Sequence, residues 1–411
     1  MKLKTLEGEN QETLEGKTIL YRAPYDIETK EVKGELVPAD DMRISATLPT
    51  LRYLLGKNCK IVILTYVGRP DGQVVEDLRT TPHAKRLAEL LGHKVDKIDD
   101  CIGEKVERKI KEMKEGDILM LENVRFYKEE MADDDEFAKR LCAGKDLIVF
   151  DGFPQAHRQH ASTTGIERHL QAVAGFYLEK EVKMLTGLLE NPKHPFVVII
   201  GGVKISDKVD AISNLMRMAD IFLVGGAVAN VFLKAQGREM GDSFIEDVFV
   251  DKSKREKEDW VEDARNILKE AEKMNKKIIC PTDMVISDGS EIKIIDINKE
   301  GISQGWSALD IGPITRENFS KIIKDSKTIF INGPMGKFED ERFAAGSEAI
   351  FKAMKEATKN GAETIIAGGD TIDVALKHGN LDEYSDISLA GGATLEFLAG
   401  KELPALLPLM K

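Results

Sequence analysis

The residues best suited to chemistry in this chain are two lysines that follow a glycine pair, within FVVIIGGVKISDK at residues 196–208. The β-branched residues that open this segment predict a buried strand. Gly201 and Gly202 are expected to form a turn, where the absence of a Cβ lets the backbone approach a ligand. Lys204 and Lys208 stand four apart at the start of a predicted helix, which would place both ammonium groups on one face. Free amides, a helix dipole and two cations together indicate a phosphate site.

Arginines mark the ends of predicted strands in the first half of the chain. Ligands of open parallel sheets bind beyond the carboxyl ends of the strands, so the residues just after each strand are binding candidates. Several arginines at one sheet edge would bind an anion with many oxygens through paired N–H donors. A solvated surface charge is the alternative for each arginine taken singly. The candidates are Arg22, Arg43, Arg69, Arg125 and Arg158, with His157 beside the last.

The strand ends of the second half hold glycines and other small residues, which predict backbone sites for phosphate. Packing alone is the alternative role for paired glycines. Asp370 follows one such turn and is a candidate ligand of Mg²⁺, because that ion takes one or two carboxylates together with phosphate oxygens. A helix N-cap is the alternative role for Asp370. The turns are Gly201-Gly202, Gly225-Gly226, Asn332-Gly333-Pro334, Gly368-Gly369-Asp370-Thr371 and Gly391-Gly392.

Other well-known motifs are not supported. Gly16-Lys17-Thr18 has the form of the end of a P-loop, but Gln11 stands where the first glycine of that motif should be. The chain has no Gly-x-Gly-x-x-Gly, and no nucleophile–base pair is recognisable. His157 and His160 lack a clear third ligand, so hydrogen bonding is favoured over zinc for both. An arginine-rich half and a glycine-rich half therefore favour phosphoryl transfer by positioning and charge neutralisation.

Alternating strand-like and helix-like segments predict an α/β protein with two doubly wound, Rossmann-like parallel-sheet domains. The 411 residues suffice for two domains. A helix at 178–189, followed by a break at 191–195, predicts a stiff helical hinge between them. Strands are predicted at 18–23, 60–65, 117–122, 147–150, 197–200, 221–224, 277–280, 328–331 and 364–367. Helices are predicted at 81–91, 135–142, 207–218, 257–274 and 344–359.

Composition excludes several classes of partner. A formal net charge of −12 argues against nucleic acid or an anionic membrane as a partner. The cysteines lie far apart, which favours free thiols in a reducing compartment over a disulfide framework or structural zinc. The N-terminal segment lacks the apolar core of a signal peptide, and no apolar run reaches the roughly 18 residues of a membrane span. We therefore expect a cytoplasmic protein. A monomer is the expected oligomeric state, although composition does not determine it.

An ordered series of motifs runs along the whole chain: Asp41-Met42-Arg43-Ile44, Gly68-Arg69-Pro70, ENVRF at 122–126, Ala156-His157-Arg158, GGVKISDK at 201–208, LDIGP at 309–313, NGPMGKFE at 332–339, GGDT at 368–371 and GGATLEFLAGK at 391–401. In these motifs the chain resembles the phosphoglycerate kinase family over essentially its full length. The resemblance implies a two-lobed enzyme of glycolysis and gluconeogenesis that uses Mg²⁺ and closes about a hinge. Its reaction would reversibly transfer a phosphoryl group between 1,3-bisphosphoglycerate and ADP, giving 3-phosphoglycerate and ATP.

The same resemblance implies a role for each domain and for individual residues. Residues 1–180 would form the acceptor domain, with the tail 396–411 docking back on it, and residues 181–395 the nucleotide-binding domain. Phosphoglycerate would bind at Asp26, Arg43, Tyr66, Arg69, Arg125, His157 and Arg158. Catalytic roles would fall to Arg43, Lys204, Gly368 and Gly391. The nucleotide would bind at Gly201, Lys208, Gly225, Gly226, Gly312, Asn332, Glu339, Gly368, Gly369, Asp370 and Thr371, with Asp370 also binding the metal.

Most departures from the family pattern lie in the acceptor half. Pro24 and Asp26 stand where the family has Asp and Asn, Tyr66 replaces a His, and Leu389 near the end replaces a Thr. These changes remove hydrogen-bonding partners and add negative charge near an anionic substrate. Three interpretations stay open: divergence with the same substrate, a related kinase with another carboxylate or phosphorylated acceptor, and a catalytically idle nucleotide-binding protein. The surviving arginines favour the first interpretation, and the intact lysines and aspartate of the glycine-rich half argue against the last.

Overall fold

The structure, a computed structural model, describes residues 1–7, 14–246, 248–251 and 256–411. It divides into two compact units, one of residues 1–184 with 402–411 and the other of residues 185–401. The first boundary therefore lies four residues beyond the predicted end at 180. Residues 396–401, predicted to belong to the tail, are part of the second unit, where the carbonyl of Leu398 accepts a hydrogen bond of 2.7 Å from the Asn214 side chain.

The first unit contains a six-stranded parallel sheet and a separate antiparallel hairpin, β2–β3, that the sequence did not reveal. The order across the sheet is β5-β6-β4-β1-β7-β8. All five positions of β1 are buried, as expected for the central strand of a parallel sheet. The strands are β1 (Thr18–Arg22), β2 (Thr29–Val32), β3 (Glu35–Pro38), β4 (Lys60–Leu64), β5 (Val95–Lys97), β6 (Ile118–Met120), β7 (Leu147–Phe150) and β8 (Ala172–Ala174).

Helices connect these strands. Helix α2 has the predicted bounds, because Pro82 suits a first turn and Gly92 closes the helix at a φ of 66°. Helix α1, which begins one residue before Arg43, has Pro49 in its interior and was not predicted. The division between the two units falls inside helix α6, the predicted hinge helix. The helices are α1 (Met42–Gly56), α2 (Thr81–Leu91), α3 (Glu104–Glu112), α4 (Lys128–Met131), α5 (Asp135–Cys142) and α6 (Phe176–Glu190).

The C-terminal tail packs on the first unit. The amide of Ala405 donates to the Ala156 carbonyl at 3.1 Å, and the amide of Lys4 donates to the Leu409 carbonyl at 2.7 Å. Ala405, Leu406 and Leu409 are buried, which accounts for the apolar composition of this segment. All four cysteines are free thiols, and three of them are buried.

The second unit is built on the parallel sheet β13-β10-β9-β17-β18-β19. Numbered along the chain, its six strands have the Rossmann order 3-2-1-4-5-6, with the reversal between β9 and β17. An antiparallel sheet, β15-β14-β16, and the pair β11–β12 were not predicted. The strands are β9 (Phe196–Ile200), β10 (Ile221–Val224), β11 (Val248–Asp251), β12 (Glu256–Asp259), β13 (Lys277–Ile279), β14 (Asp283–Ser287), β15 (Ile292–Asp296), β16 (Ser307–Ile311), β17 (Thr328–Asn332), β18 (Glu363–Ala367) and β19 (Asp386–Ser388).

All three predicted helices of this unit begin later than expected, the one predicted from 344 by a single residue, at Ala345. Helix α9 starts at Trp260 because Asp259 caps it by accepting from the Glu262 amide, so residues 257–259 belong to strand β12. Helix α7 starts at Val209, so the predicted start at 207 is wrong and Lys204 lies outside the helix. The helices are α7 (Val209–Leu215), α8 (Gly226–Ala235), α9 (Trp260–Lys273), α10 (Pro313–Lys324), α11 (Ala345–Lys359), α12 (Gly369–Lys377) and α13 (Gly392–Leu398).

The predicted fold class, two doubly wound parallel-sheet units joined by a helix, is confirmed. A search of the described residues for a helix with the length and apolar character needed to cross a bilayer finds none.

Candidate functional site

The first unit holds a cavity of about 410 Å³ at the carboxyl edge of its sheet. Arg69 follows β4, Arg125 follows β6 and Arg158 follows β7. The topology thus brings three of the five predicted arginines to one cavity, as expected where parallel strands end together. The lining residues are Arg69, Pro70, Asp71, Arg125, Met131, Arg158 and His160.

Arg125 and Arg158 both contact the side chain of Tyr66. The Cζ atom of Arg125 lies 3.6 Å from the centroid of the tyrosine ring, and Nη1 of Arg125 donates to the Gly68 carbonyl at 2.8 Å. Nη1 of Arg158 lies 3.4 Å from the Tyr66 hydroxyl. Tyr66 itself is buried and is not among the residues that line the cavity. The sequence proposed Tyr66 as a ligand contact, whereas these contacts join it to the arginines.

Arg43 and Asp26 meet beside this cavity. Nη1 of Arg43, in the first turn of α1, donates to the Asp26 backbone carbonyl at 2.5 Å. The Asp26 carboxylate accepts from the amide of Gly68 at 2.9 Å, in the turn that precedes Arg69. Neither Arg43 nor Asp26 lines the cavity of the first unit. Asp26 therefore fixes a turn, in addition to any contact it makes with a ligand.

Arg22 does not belong to this group, contrary to the sequence-based expectation. Its side chain is fully buried, and Nε donates to the carbonyl of Ser162 at 3.0 Å. The buried Glu130 accepts from the hydroxyl of Ser162 at 2.6 Å. Burial raises the pKa of Glu130 and lowers that of Arg22, while the two groups favour each other's charged forms. Arg22 thus forms part of a buried polar network behind the cavity.

The two histidines of this region are held neutral near pH 7. Burial lowers the pKa of His157 to about 4, and the Arg158 guanidinium adds to this effect. Burial together with Arg125 likewise lowers the pKa of His160 to about 4. Nε of Arg158 donates to Nε2 of His157 at 3.2 Å, which requires that nitrogen to be unprotonated. Across the described residues, no cluster of three or more His, Cys, Asp or Glu side chains is arranged to hold a metal ion.

The second unit contains a larger cavity, of about 580 Å³, bordered by turns at the carboxyl edge of its sheet. Of the residues predicted to bind nucleotide, Gly226, Glu339 and Asp370 line it. Apolar side chains make up much of the remainder, which suits a ligand with a flat apolar part and a phosphorylated end. The lining residues not predicted from the sequence include Asn230, Phe244, Met284, Leu309, Asp310, Met335 and Phe338.

The glycine pairs after β9 and β10 are packed against the turn after β17. The amides of Gly201 and Gly202 donate to the carbonyls of Asn332 and Pro334, at 2.9 and 2.7 Å. The amides of Gly225 and Gly226 donate to Ile200 and Met335, both at 2.8 Å. A Cβ at Gly201 would overlap the Pro334 carbonyl oxygen. The expectation of free amides at these two pairs is therefore wrong, because protein carbonyls already accept from them.

The N-termini of α12 and α13 differ from these turns, because the first amides of a helix have no partner within it. In α12 those amides belong to Gly369, Asp370 and Thr371, and the N-cap is Gly368 at a φ of 98°. The N-cap alternative for Asp370 is thereby excluded, and its exposed carboxylate borders the cavity.

Residues around the start of α12 are fixed by hydrogen bonds. The Thr371 hydroxyl accepts from the amide of Gly333 at 2.8 Å, and the Asn332 side chain donates to the carbonyl of Ala367 at 3.0 Å. Gly391 caps α13 at a φ of 51°, a conformation that favours glycine. Gly312 does not line the cavity; its Cα packs against the Asp283 carboxylate, where a Cβ would overlap.

Lys204 and Lys208 lie on a loop and not on one helix face. Lys208 is the N-cap residue of α7 and is buried, and its ammonium group donates to the Lys204 carbonyl at 3.0 Å. Burial lowers the pKa of Lys208, with Asp207, Glu246 and Asp370 opposing the shift. Lys204 is exposed. The loop is held by Glu246, whose carboxylate accepts from the Ser206 amide at 3.0 Å and from its hydroxyl at 2.6 Å.

Sequence reasoning missed the apolar lining of the second cavity and one carboxyl group. Met335 and Phe338 lie inside the motif at 332–339 and could have been inferred from it, whereas nothing in the local sequence marks Phe244. Burial raises the pKa of Asp310 to about 7, although the amides of Gly346 and Ile311 donate to its carboxylate. This carboxyl group lies at the cavity and titrates near neutral pH.

Two doubly wound units, one with clustered guanidinium groups and one with a glycine-lined cavity at a Rossmann switch point, define a two-domain α/β protein suited to phosphorylated ligands. Comparison with known proteins refines this class. The sequence model of the phosphoglycerate kinase family matches residues 10–401. The chain belongs to that family.

Individual members of the family are similar in sequence to this chain over nearly its whole length. The phosphoglycerate kinase of Thermosipho africanus is 43% identical over 397 residues, covering 96% of this chain and 95% of its own. That of Dictyoglomus turgidum is 43% identical over 408 residues, covering 98% of each. Among solved structures, the phosphoglycerate kinase of Pyrococcus horikoshii has a TM-score of 0.82 at 34% identity, covering 99% of this chain and 98% of its own.

Proposed function

We propose that this protein is a phosphotransferase that reversibly moves a phosphoryl group between 1,3-bisphosphoglycerate and ADP, giving 3-phosphoglycerate and ATP. The observation that carries the proposal is the cavity lined by Arg69, Arg125 and Arg158 in a chain of the phosphoglycerate kinase family. Guanidinium groups bind carboxylate and phosphate through paired donors, and 3-phosphoglycerate carries both groups. These three arginines would hold it, with Arg43 and the neutral His157 beside them.

The reaction needs no general base. The acceptor in the direction of ADP formation is a carboxylate, which is already ionised at neutral pH. Cations around the transferring group and exclusion of water then supply the rate enhancement. Arg43 and the exposed Lys204 are proposed to neutralise the charge of that group, and hinge closure would bring donor and acceptor together.

The nucleotide is proposed to occupy the cavity of the second unit. Its base would meet the apolar lining, which includes Phe244, Met284 and Leu309, and Glu339 would face the ribose. Its phosphates would meet Lys208 and the open amides at the start of α12. The packed glycine pairs at 201–202 and 225–226 would contribute shape and close approach instead of donors.

Mg²⁺ fits this arrangement through Asp370. Its carboxylate is exposed at the cavity and adjacent to helix amides, and Mg²⁺ commonly takes one or two carboxylates together with phosphate oxygens. The ion would neutralise charge on the nucleotide phosphates. Asp370 is the proposed protein ligand, and the remaining ligands would be phosphate oxygens and water. We further propose a cytoplasmic location, in keeping with the free thiols, and a monomeric state.

A coupled assay with 3-phosphoglycerate and MgATP tests the proposal. We expect robust turnover that chelation of Mg²⁺ abolishes and re-addition restores. ATP binding without turnover would overturn the assignment of the acceptor, and other sugar acids and phosphates would then be screened with the same enzyme.

A further inference from the structure

We propose that Tyr66 is a positioning residue for the phosphoglycerate-binding arginines, holding their guanidinium groups from the side away from the cavity. The inference rests on the proposed function, because it concerns the same anion site.

The ring and the hydroxyl of Tyr66 contact three arginines. The ring centroid lies 3.6 Å from Cζ of Arg125 and 5.5 Å from Cζ of Arg22, and the hydroxyl lies 3.4 Å from Nη1 of Arg158. Tyr66 is only 2% exposed and does not line the cavity, whereas Arg125 and Arg158 do. The ring is therefore placed to act through the arginines and not on a ligand.

Such a support is needed because cations crowd this region. Arg125 lowers the pKa of the buried Arg22. Arg125, Arg158 and Arg22 all contribute to lowering the pKa of His160. Glu130 and Asp26 relieve part of this repulsion, since both favour the charged form of Arg22. A carboxylate hydrogen-bonded to the arginines of the cavity would instead compete with an anionic ligand for their N–H groups. The face of an aromatic ring attracts a guanidinium group without accepting from its N–H groups.

A guanidinium group that lies over a ring also keeps donors available for a ligand. A ring contacts the flat face of a guanidinium group, while its N–H bonds point outward in the plane. Of the donors of Arg125, Nη1 is used by the Gly68 carbonyl, and Nε is buried without a hydrogen-bond partner. Tyr66 and Gly68 thus fix Arg125 from two directions and leave Nη2 as the donor for the substrate.

The test compares Tyr66→Leu with Tyr66→Phe. We expect Tyr66→Leu to raise the KM for 3-phosphoglycerate about tenfold through loss of the cation–π contact, with the KM for MgATP within about twofold of wild type. Tyr66→Phe keeps the ring and should restore most of the affinity. Isothermal titration with 3-phosphoglycerate alone gives the same comparison as Kd, independent of turnover.

Tyr53→Leu is the matched control. Tyr53 lies in the first unit with the ammonium group of Lys57 5.7 Å from its ring centroid, and it does not line the cavity. The Tyr53→Leu variant should be less stable than wild type but should keep the KM values for 3-phosphoglycerate and MgATP.

Equal changes in both KM values for Tyr66→Leu, or an unchanged KM for 3-phosphoglycerate in a folded variant, would overturn the inference. Wild type that binds 3-phosphoglycerate without turnover would count against the proposed function alone, while absence of binding would count against both proposals.

Discussion

The candidate anion site of the first unit is made of side chains, whereas that of the second unit is made largely of backbone. In the first unit, guanidinium groups crowd one cavity and are supported by a tyrosine ring, a carbonyl and the turn that Asp26 fixes. In the second unit, glycine turns pack against one another and leave helix N-termini and a loop with two lysines to supply positive potential.

Because of this difference, the two sites should respond differently to substitutions. Removing one of the arginines that line the cavity of the first unit changes the charge that holds the ligand, so we expect it to act mainly on acceptor binding. Adding even a methyl group to the turns of the second unit disturbs the backbone packing on which the whole sheet edge depends.

Lys204→Ala should have the largest effect on turnover. Lys204 is exposed on the loop after β9 and is proposed to neutralise the transferring group. Loss of one such charge typically lowers kcat by about 10²–10³-fold. Steady-state kinetics should show this fall with little change in the Kd for MgATP, and Lys321→Ala, an exposed lysine of α10, should behave as wild type. Comparable losses in kcat and nucleotide affinity would argue against a transition-state role.

Gly201→Ala should destabilise the second unit more than it affects any ligand. Its Cβ would overlap the Pro334 carbonyl, and overpacking of this kind costs about 1–3 kcal/mol. Gly369→Ala is the matched comparison for stability, because a Cβ there meets nothing within 4 Å. Urea denaturation of both variants measures the difference. A Gly201→Ala variant as stable as Gly369→Ala would show that the turns are not packed as described.

Glu246→Gln should loosen the lysine loop. The carboxylate accepts two hydrogen bonds from Ser206, and the amide offers one acceptor in their place. Hydrogen bonds to a charged group are worth about 1.5–3 kcal/mol, so we expect kcat to fall roughly tenfold. Glu270→Gln, an exposed change on α9, is the control. Full activity in Glu246→Gln would mean that the loop is ordered without this carboxylate.

Asp26→Asn should have the smallest effect. The amide oxygen can still accept from Gly68, but a negative charge near the arginines is removed. We expect the KM for 3-phosphoglycerate to fall about two- to threefold, with stability unchanged, since nearby charges act weakly at partly exposed positions. Glu28→Gln, two residues away and exposed, should leave this KM unchanged. A rise in the KM would indicate that the Asp26 carboxylate contacts the substrate favourably.

Much of the fold could be predicted because local patterns and covalent order determine it. Apolar runs predicted nine of the twelve strands of the two parallel sheets and missed the three-residue edge strands β5, β8 and β19. Alternation with helices predicted the doubly wound class. The positions of Arg69, Arg125 and Arg158 after strands predicted their convergence, since parallel strands end at one edge. The antiparallel sheet β15-β14-β16 and helix α1 were missed. Strands β15 and β16 are largely exposed or half-buried, so they lack the continuous apolar run of a buried parallel strand, and Pro49 interrupts the helical pattern of α1.

The sequence by itself determined the family, the two-unit architecture and which charged residues follow the strands of each sheet. These features depend only on the order of residues along the chain. Only the tertiary structure decided what each residue contacts. It placed Arg22 in a buried network, Tyr66 against Arg125, and the amides of Gly201 and Gly202 on carbonyls more than a hundred residues away. No local pattern encodes such contacts, since each depends on two distant segments that meet only after the chain has folded.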